Sequence, residues 1–396
     1  MKGPTPRRIL RYLCQCLRLK AYLDNPGDRR PRAQIRARHL VWSLVIGYIL
    51  RESSFHAVEA LVCSKARRAL DVGRDFGDDA LAYFTERLDP EPTRQALATA
   101  LVQAKRNKAF DSSRFIGIAI DGTTTARCTA KACNLCRPFK NSAGEIVGYR
   151  HHVAMASIVG TGLTLPIDIE PYGPGDSEYA AGQRILRRVV DNLGRRFAQY
   201  AVVDGAFATA PFLHTADDLG IRVIARLKAN LPDLFLAAQV RFENQSPDRV
   251  FQNCSDRIEI WDAGDFDPWD ALCWKTVRVI RYRQHKTDGT IVEAYWLTNF
   301  PIHQVAPESL YRMAKARWEV ENQGFNDAKN RYGFEHITHH HANSLLVCWL
   351  LLILALTIER LYRLRHLHRG THPPHSAIEL LRLLRLNLAT SSADTS

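Results

Sequence analysis

The sequence has no uninterrupted apolar run long enough to cross a membrane. Two apolar stretches, 41–50 and 345–358, are 10 and 14 residues long, whereas a membrane-spanning helix needs roughly 17–25 residues. The basic N-terminus also lacks the apolar segment of a secretion signal, because Arg11, Gln15 and Arg18 interrupt it. We therefore expect two buried core helices, no membrane partner and a cytoplasmic protein.

Acidic residues are too few to balance the basic ones. The chain of 396 residues has 54 Lys and Arg against 41 Asp and Glu, which gives a net charge of +13. The excess of basic residues is concentrated in residues 1–40, which have eleven Lys and Arg against Asp24 and Asp28. A basic balance of this size favours a polyanionic partner such as nucleic acid. The basic N-terminal segment is either a solvated arm or an arm that neutralises DNA phosphates, and we favour the second interpretation.

The cysteines do not form a pattern typical of disulfides. There are nine of them, an odd number at irregular spacing, which favours reduced thiols in a cytoplasm. Cys128, Cys133 and Cys136 include one CxxC pair, and His151 and His152 follow. Because no second CxxC pair follows, reduced loop thiols are the favoured interpretation and a structural Zn²⁺ site is the alternative.

The pattern of apolar residues changes several times along the chain. Helical spacing dominates at first, then all-apolar runs at 115–120 and 200–203 predict buried strands, and Ser177–Arg195 predicts a helix with Ser177 as its N-cap. Alternating runs follow, and then a long predicted helix, Ser309–Asn330. The predicted segments are a helical N-terminal region (1–110), the first part of an α/β core (111–230), an antiparallel β-rich insertion (231–304), the second part of the core (305–365) and a C-terminal tail with a disordered end (366–396).

Two aspartates stand at the ends of two buried strands. Asp121 follows the first apolar run and Asp204 the second, and each precedes a Gly. Ligands bind at the carboxyl edge of open α/β sheets, so we expect the two carboxylates to lie close together there. Their repulsion would be relieved by a divalent cation such as Mg²⁺, which prefers oxygen ligands. The alternative for either Asp-Gly pair alone is an ordinary turn.

A third carboxylate lies on the long predicted helix. Arg317 and Glu321 are four residues apart, so they share a helix face, and Arg317 could orient the carboxylate or clamp a DNA phosphate. Lys329, eight residues after Glu321, could reach the adjacent DNA backbone. The alternative is a plain ion pair on a solvated helix.

Four short motifs resemble those of bacterial insertion-sequence transposases of the DDE type. They are IAIDG around Asp121, VVDGAF around Asp204, YWLTNF at 295–300 and RWEVENQGFNDAKN at 317–330. The resemblance implies an RNase H-like mixed sheet flanked by helices, and Asp121, Asp204 and Glu321 as ligands of the catalytic metals. The spacing of 117 positions from Asp204 to Glu321 fits the subgroup in which a β-rich insertion precedes the glutamate.

The resemblance also implies an activity and its partners. We expect Mg²⁺-dependent cleavage at transposon ends and strand transfer into target DNA, with Mn²⁺ able to replace Mg²⁺. The expected partners are terminal inverted repeats and target DNA, bound near the nucleoid by a homodimer or synaptic complex whose residues 1–110 contact DNA. Trp296 either stacks on a flipped base, as in some relatives, or packs as a buried strand residue, which is slightly favoured. A non-catalytic DNA-binding relic and a nuclease without strand transfer are the alternatives.

Overall fold

The N-terminal quarter of the molecule is helical. The computed structural model describes residues 4–110, 114–367 and 376–393. The helices before the sheet are α1 (Pro6–Gln15), α2 (Lys20–Asp24), α3 (Ala37–Ile49), α4 (Phe55–Cys63), α5 (Arg67–Leu70), α6 (Asp78–Arg87) and α7 (Glu91–Arg106).

The basic N-terminus is folded onto the protein. Ile9, Leu10 and Leu13 on α1 are buried in the core, so the segment is anchored and is not a loose arm. Part of its charge is neutralised internally, since Arg38 pairs with Asp24 at 2.9 Å. Whether the remaining cations meet DNA phosphates stays a prediction.

A ten-stranded sheet follows these helices. Its order is β2-β3-β1-β5-β6-β10-β9-β8-β7, and β4 also pairs with β3. The strands are β1 (Gly117–Cys128), β2 (Arg137–Lys140), β3 (Ile146–Val159), β4 (Leu165–Pro171), β5 (Tyr200–Val203), β6 (Arg222–Leu227), β7 (Arg249–Asn253), β8 (Asp256–Phe266), β9 (Val277–His285) and β10 (Ile291–Thr298).

The centre of the sheet has the RNase H-like arrangement that the motifs imply. Strands β1, β5 and β6 run parallel, and on the other side of β1 strand β3 is antiparallel to β1 and β4 is antiparallel to β3. All four residues of β5 are buried, as expected for a central strand covered on both faces. Helix α8 (Glu178–Leu193) leads from β4 to β5, and α9 (Ala210–Asp218) connects β5 to β6. The Ser177 side chain caps α8 by accepting from Ala180 N at 3.3 Å, as predicted.

The β-rich insertion begins with a helix that the sequence analysis missed. Helix α10 (Pro232–Glu243) buries Leu234, Ala238 and Phe242 before β7 starts. Strands β7 to β10 then follow as an antiparallel group, and β10 pairs with β6. The insertion therefore extends the sheet of the core.

The helix predicted at Ser309–Asn330 is not a regular α-helix. It consists of α11 (Pro307–Lys315), α12 (Arg317–Glu319), a π-helical turn (Val320–Phe325) and α13 (Asn326–Tyr332). The widened turn contains Glu321 and packs Val320, Gly324 and Phe325 inward. Such π-helical turns are rare and frequently occur at functional sites.

Helix α14 (Ala342–Leu367) runs through the interior of the protein. By length and composition it could cross a membrane, but 94% of its apolar window is buried inside the protein. Thr357 donates to the carbonyl of Pro166 on β4 at 2.9 Å. This packing agrees with the predicted core helix, and β4 lies at an edge of the described sheet, as Pro166 suggested.

The C-terminal tail contains a helix, and the prediction of a disordered Ser- and Thr-rich end is wrong for 390–393, which lie in that helix. Helix α15 (Ala377–Ala393) buries Leu380, Leu384 and Leu388, which recur every four residues on one face. Arg385 also donates to the carbonyl of Leu50 at 2.8 Å. Residues 368–375 and 394–396 of the predicted tail lie outside the described residues, as do 111–113 at the start of the predicted core.

Candidate active site

Asp121 and Asp204 lie side by side on neighbouring parallel strands. The register pairs Ile120 of β1 with Val203 of β5, so the next residue on each strand is an aspartate. Strand β5 ends here, while β1 continues to Cys128 beside β3 alone. Asp121 therefore lies inside a longer strand than predicted. Because β5 ends just before this point, β1 is no longer paired with β5 at Asp121.

The π-helical turn brings Glu321 to the same edge. One guanidinium nitrogen of Arg317, Nη1, lies 3.0 Å from Oδ2 of Asp121 and 2.8 Å from Oε1 of Glu321. The side chain of Arg317 is 11% exposed and that of Asp121 is 14% exposed, whereas Glu321 is 41% exposed. The predicted contact between Arg317 and Glu321 is therefore present, and Arg317 also reaches the first aspartate.

The carboxyl of Asp121 holds its proton unusually well. Burial raises its pKa from the ordinary value of 3.8 to about 7. Arg317 opposes this shift, and the neighbouring Glu321 adds to it because two carboxylates repel. Asp121 can therefore exchange a proton for a bound cation near neutral pH.

Asp204 has the opposite behaviour. Its pKa is lowered: burial alone would raise it, but the backbone N–H of Gly205, the ammonium of Lys228 and the charge of Arg317 together outweigh burial. Lys228 Nζ lies 3.1 Å from Oδ1 of Asp204. Asp204 therefore carries its negative charge at neutral pH.

The three side chains are a suitable donor set for a divalent cation. All are carboxylates, the hard oxygen ligands that Mg²⁺ and Mn²⁺ prefer. In this structure Arg317 and Lys228, two cations against three carboxylates, give this charge partial compensation. A divalent cation would complete it.

Glu178 is a further carboxylate near this edge, outside the predicted set of three. A Cβ atom added at Gly122 would lie 2.3 Å from the carboxyl carbon of Glu178, so Glu178 occupies the space that a side chain at 122 would need. Tyr172 donates to Glu178 at 3.2 Å. In the sequence, Glu178 is simply an acidic residue in the first turn of a helix, where the helix dipole explains it; only the fold places it beside Gly122, the residue after Asp121.

Two other acidic residues between the aspartates belong to a separate network. Asp168 accepts from Arg94 and from Arg188, each at 2.9 Å. Glu170 accepts from Arg184 and Arg188, each at 2.8 Å. These pairs join α7, α8 and β4, so they stabilise the fold and are not part of the site.

The base-stacking role considered for Trp296 is wrong for this structure. Its side chain is fully buried, and it packs edge-to-face against Trp318 with ring centroids 5.8 Å apart. No ring face is accessible to a base, which agrees with the alternative of a buried strand residue. Lys329 pairs with Glu335 at 3.2 Å and is 22% exposed, so its contact with DNA stays a prediction.

The structure brings together part of the cysteine and histidine set. Cys133, Cys136 and His151 have their ligand atoms within 4.8 Å of one another. Cys128 lies at the end of β1 and lines an adjacent cavity with His336 and His340. This cluster is separate from the three carboxylates.

The fold is the RNase H-like fold of enzymes that cut and join nucleic-acid strands. Residues 113–358, more than half of the chain, match the family model described as the transposase DDE domain. The chain therefore belongs to the family of DDE-domain transposases and is an enzyme that cleaves and joins DNA. Transposases of this family use divalent metal ions.

A solved structure has a similar fold. The chain resembles the cryo-EM structure of the piggyBac transposase synaptic complex with hairpin DNA, at a TM-score of 0.50 and 10% sequence identity. The similarity covers 99% of this chain and 81% of that chain. No curated protein matches the chain in sequence.

Proposed function

We propose that Asp121, Asp204 and Glu321 hold two Mg²⁺ ions, replaceable by Mn²⁺, and that this site cleaves transposon ends and joins them to target DNA. The observation that carries the proposal is the bridge from Arg317 Nη1 to both Asp121 and Glu321, at 3.0 and 2.8 Å. Asp121 and Arg317, 196 positions apart in the sequence, meet there. Asp204 lies at the same edge of the sheet, directly after β5, the strand that pairs with β1.

Each side chain has a distinct part in this proposal. When bound, such ions stabilise the charge on the attacking and leaving oxygens of a phosphodiester. Asp204 provides a permanent negative charge, whereas Asp121 gives up its proton as a cation arrives. Glu321, the most exposed of the three, completes the ligand set from the helical side.

Arg317 and Lys228 pair with the carboxylates before a cation binds. Arg317 is largely buried and fixed by two carboxylates, so its main part is to orient them. Lys228 is 54% exposed, and once a cation takes over the charge of Asp204 its ammonium is available to a DNA phosphate. Arg317 and Lys329 are the further candidates for phosphate contacts on the helical side.

The remaining segments have proposed roles as well. We assign DNA binding to the helical region 1–110, because its surplus of cations suits phosphates. The α/β core occupies 111–230 and 305–365, and 231–304 is the insertion. The piggyBac structure is a synaptic complex with DNA, and we propose that this chain likewise binds terminal inverted repeats as a homodimer or larger assembly, at the nucleoid.

A plasmid that carries this reading frame with its native flanking DNA tests the proposal. Purified protein with Mg²⁺ should cut at the ends of the element and join them to a second plasmid, and chelation should stop both reactions. Glu321→Gln should abolish cutting while end binding is retained. The matched control Glu335→Gln, an exposed carboxylate shortly after α13, should cut normally.

Each other outcome has a clear meaning. Normal cutting by Glu321→Gln, Asp121→Asn or Asp204→Asn would remove that residue from the site. Cutting without joined products would identify a nuclease. End binding without any cutting by the unaltered protein would identify a non-catalytic relic.

A further inference from the structure

A second group of metal-ligating side chains lies in the loop between β1 and β2. The Sγ atoms of Cys133 and Cys136 are 3.8 Å apart. Each also approaches Nε2 of His151 on β3, at 3.2 Å from Cys133 and 3.4 Å from Cys136. Two thiols from a loop and an imidazole from a strand therefore point at one common centre.

The S–S separation matches the edge of a tetrahedral zinc site, and the two S–N separations are 0.1–0.3 Å shorter than such an edge. With Zn–S near 2.3 Å and Zn–N near 2.0–2.1 Å, tetrahedral ligand atoms are about 3.5–3.8 Å apart. A disulfide would need the two sulfurs about 2.0 Å apart, and all nine cysteines, each within the described residues, are unpaired. Thiolate and imidazole in a tetrahedral set favour Zn²⁺ over Mg²⁺.

The surroundings of His151 are those of a built site. The His151 side chain is fully buried, and Cys136 is 1% exposed. The His151 ring packs edge-to-face on Trp349, with the ring centroids 6.2 Å apart. Among the residues that the structure describes, the partners of its Nε2 are the two thiols, which are weak hydrogen-bonding groups. A bound metal gives this buried imidazole the strong partner that thiols do not provide.

Cys128 is the best placed fourth ligand. It ends β1 and interacts electrostatically with Cys136. It also borders the surface cavity beside the cluster, so its side chain has room to turn toward the common centre. We propose that Cys128, Cys133, Cys136 and His151 bind a structural Zn²⁺ ion. Four protein ligands leave no open position, which is typical of structural zinc and not of catalytic zinc.

The zinc site would fix a basic hairpin next to the active site. Residues 127–159, from the end of β1 through the loop, β2 and β3, carry five cations and one acidic residue, Glu145. The cations are Arg127, Lys131, Arg137, Lys140 and Arg150. Two of them, Arg127 and Arg150, stack on the Phe139 ring at 5.2 and 4.1 Å. Because β1 carries both Asp121 and Cys128, zinc would hold this basic surface rigidly relative to the site, in a position to contact a DNA backbone.

Metal content of the purified full-length protein tests the proposal without reference to DNA cleavage. Elemental analysis should find one zinc per chain, and Co²⁺ substitution should give the absorption bands of tetrahedral thiolate coordination. Cys133→Ser, Cys136→Ser and His151→Asn should each lose the metal, and Cys128→Ser should weaken binding at least tenfold. Cys254→Ser and Cys273→Ser, at exposed positions elsewhere, are matched controls that should keep it.

Two results would overturn the proposal. If the unaltered protein contains no zinc, and added Zn²⁺ neither binds nor raises its melting temperature, the cluster is a set of reduced thiols. If Cys128→Ser binds zinc as tightly as the unaltered protein and His340→Ala does not, the fourth ligand is assigned wrongly. If a variant fails to fold, the proposal is still tested by titrating the unaltered protein with Co²⁺ after its metal has been removed.

Discussion

Arg317 donates to Oδ2 of Asp121 at 3.0 Å across 196 residues of sequence. The same nitrogen contacts Glu321 at 2.8 Å, so one guanidinium joins a strand of the sheet to the π-helical turn. The positive charge lowers the pKa of Asp121, although burial and Glu321 keep the net shift upward. Arg317 is thus a positioning residue that also sets how readily Asp121 releases its proton.

Replacing Arg317 should shift the pH dependence of cleavage. Arg317→Gln removes the charge that opposes protonation of Asp121, so its pKa should rise further. The midpoint of the pH profile for Mg²⁺-dependent nicking should move up by about one unit or more. Arg317→Lys keeps the charge and should shift the midpoint less. An unchanged midpoint in Arg317→Gln would show that this arginine does not control the carboxylate.

Metal binding should release protons near neutral pH. The raised pKa of Asp121, about 7, means that a cation must displace a proton from it below that pH. Affinity for Mn²⁺ should therefore fall by about tenfold per pH unit below pH 7 and level off above it. Calorimetry in buffers of different ionisation enthalpy would count the protons. Asp121→Asn should give a shallower dependence, and a pH-independent affinity in the unaltered protein would contradict the prediction.

The two aspartates should affect stability in opposite directions in the absence of metal. The pKa of Asp121 is higher in the folded state than its ordinary value of 3.8, so the folded protein binds more protons and loses stability as pH rises from about 4 to 7. Asp121→Asn does not undergo this loss and should be more stable above pH 7, by up to about 4 kcal/mol for a shift of about three pKa units. The gain should vanish below about pH 4.

Asp204 provides the matched comparison. Its pKa is lowered in the folded state, so its charge adds stability above its ordinary pKa, and that stability is lost as pH falls through the lowered value. Asp204→Asn should therefore have a lower melting temperature than the unaltered protein at pH 7. Thermal melts with chelator at several pH values would separate the two residues. The same sign of change in both variants would contradict the assigned pKa directions.

Trp296 should matter for folding and not for base recognition. Trp296→Ala removes a fully buried ring and should cost about 3–5 kcal/mol of stability. Trp296→Phe keeps most of the packing against Trp318, so it should fold and bind transposon ends normally. A gel-shift assay with Trp296→Phe checks this. A specific loss of end binding in a well-folded variant would restore the stacking hypothesis and require a conformational change that exposes the ring.

The central strands and the position of two carboxylates could be predicted from local patterns. Tyr200–Val203 is all apolar and ends in Asp204-Gly205, and the strand has those bounds. Burial on both faces leaves a continuous apolar run, and the parallel register then places Asp121 and Asp204 side by side. The contact of Arg317 with Glu321 follows from helical spacing, because it lies within a few residues.

Other features depend on contacts that no local pattern records. Helix α10 lies among alternating runs, and the π-helical turn around Glu321 is set by how Val320, Gly324 and Phe325 pack on the sheet. Helix α15 has a weakly apolar face, so the helix is stable only when this face packs against the rest of the core. The place of Glu178 beside Gly122 likewise requires the fold, since these residues are brought together from a helix and a strand.

An experimental structure with Mn²⁺, DNA ends and anomalous diffraction data tests the central claim most directly. The account predicts anomalous peaks within about 2.0–2.4 Å of carboxylate oxygens from all three of Asp121, Asp204 and Glu321. The same peaks should be lost in Glu321→Gln crystals. Manganese bound elsewhere, or bound here with one of the three carboxylates beyond ligand distance, would contradict it.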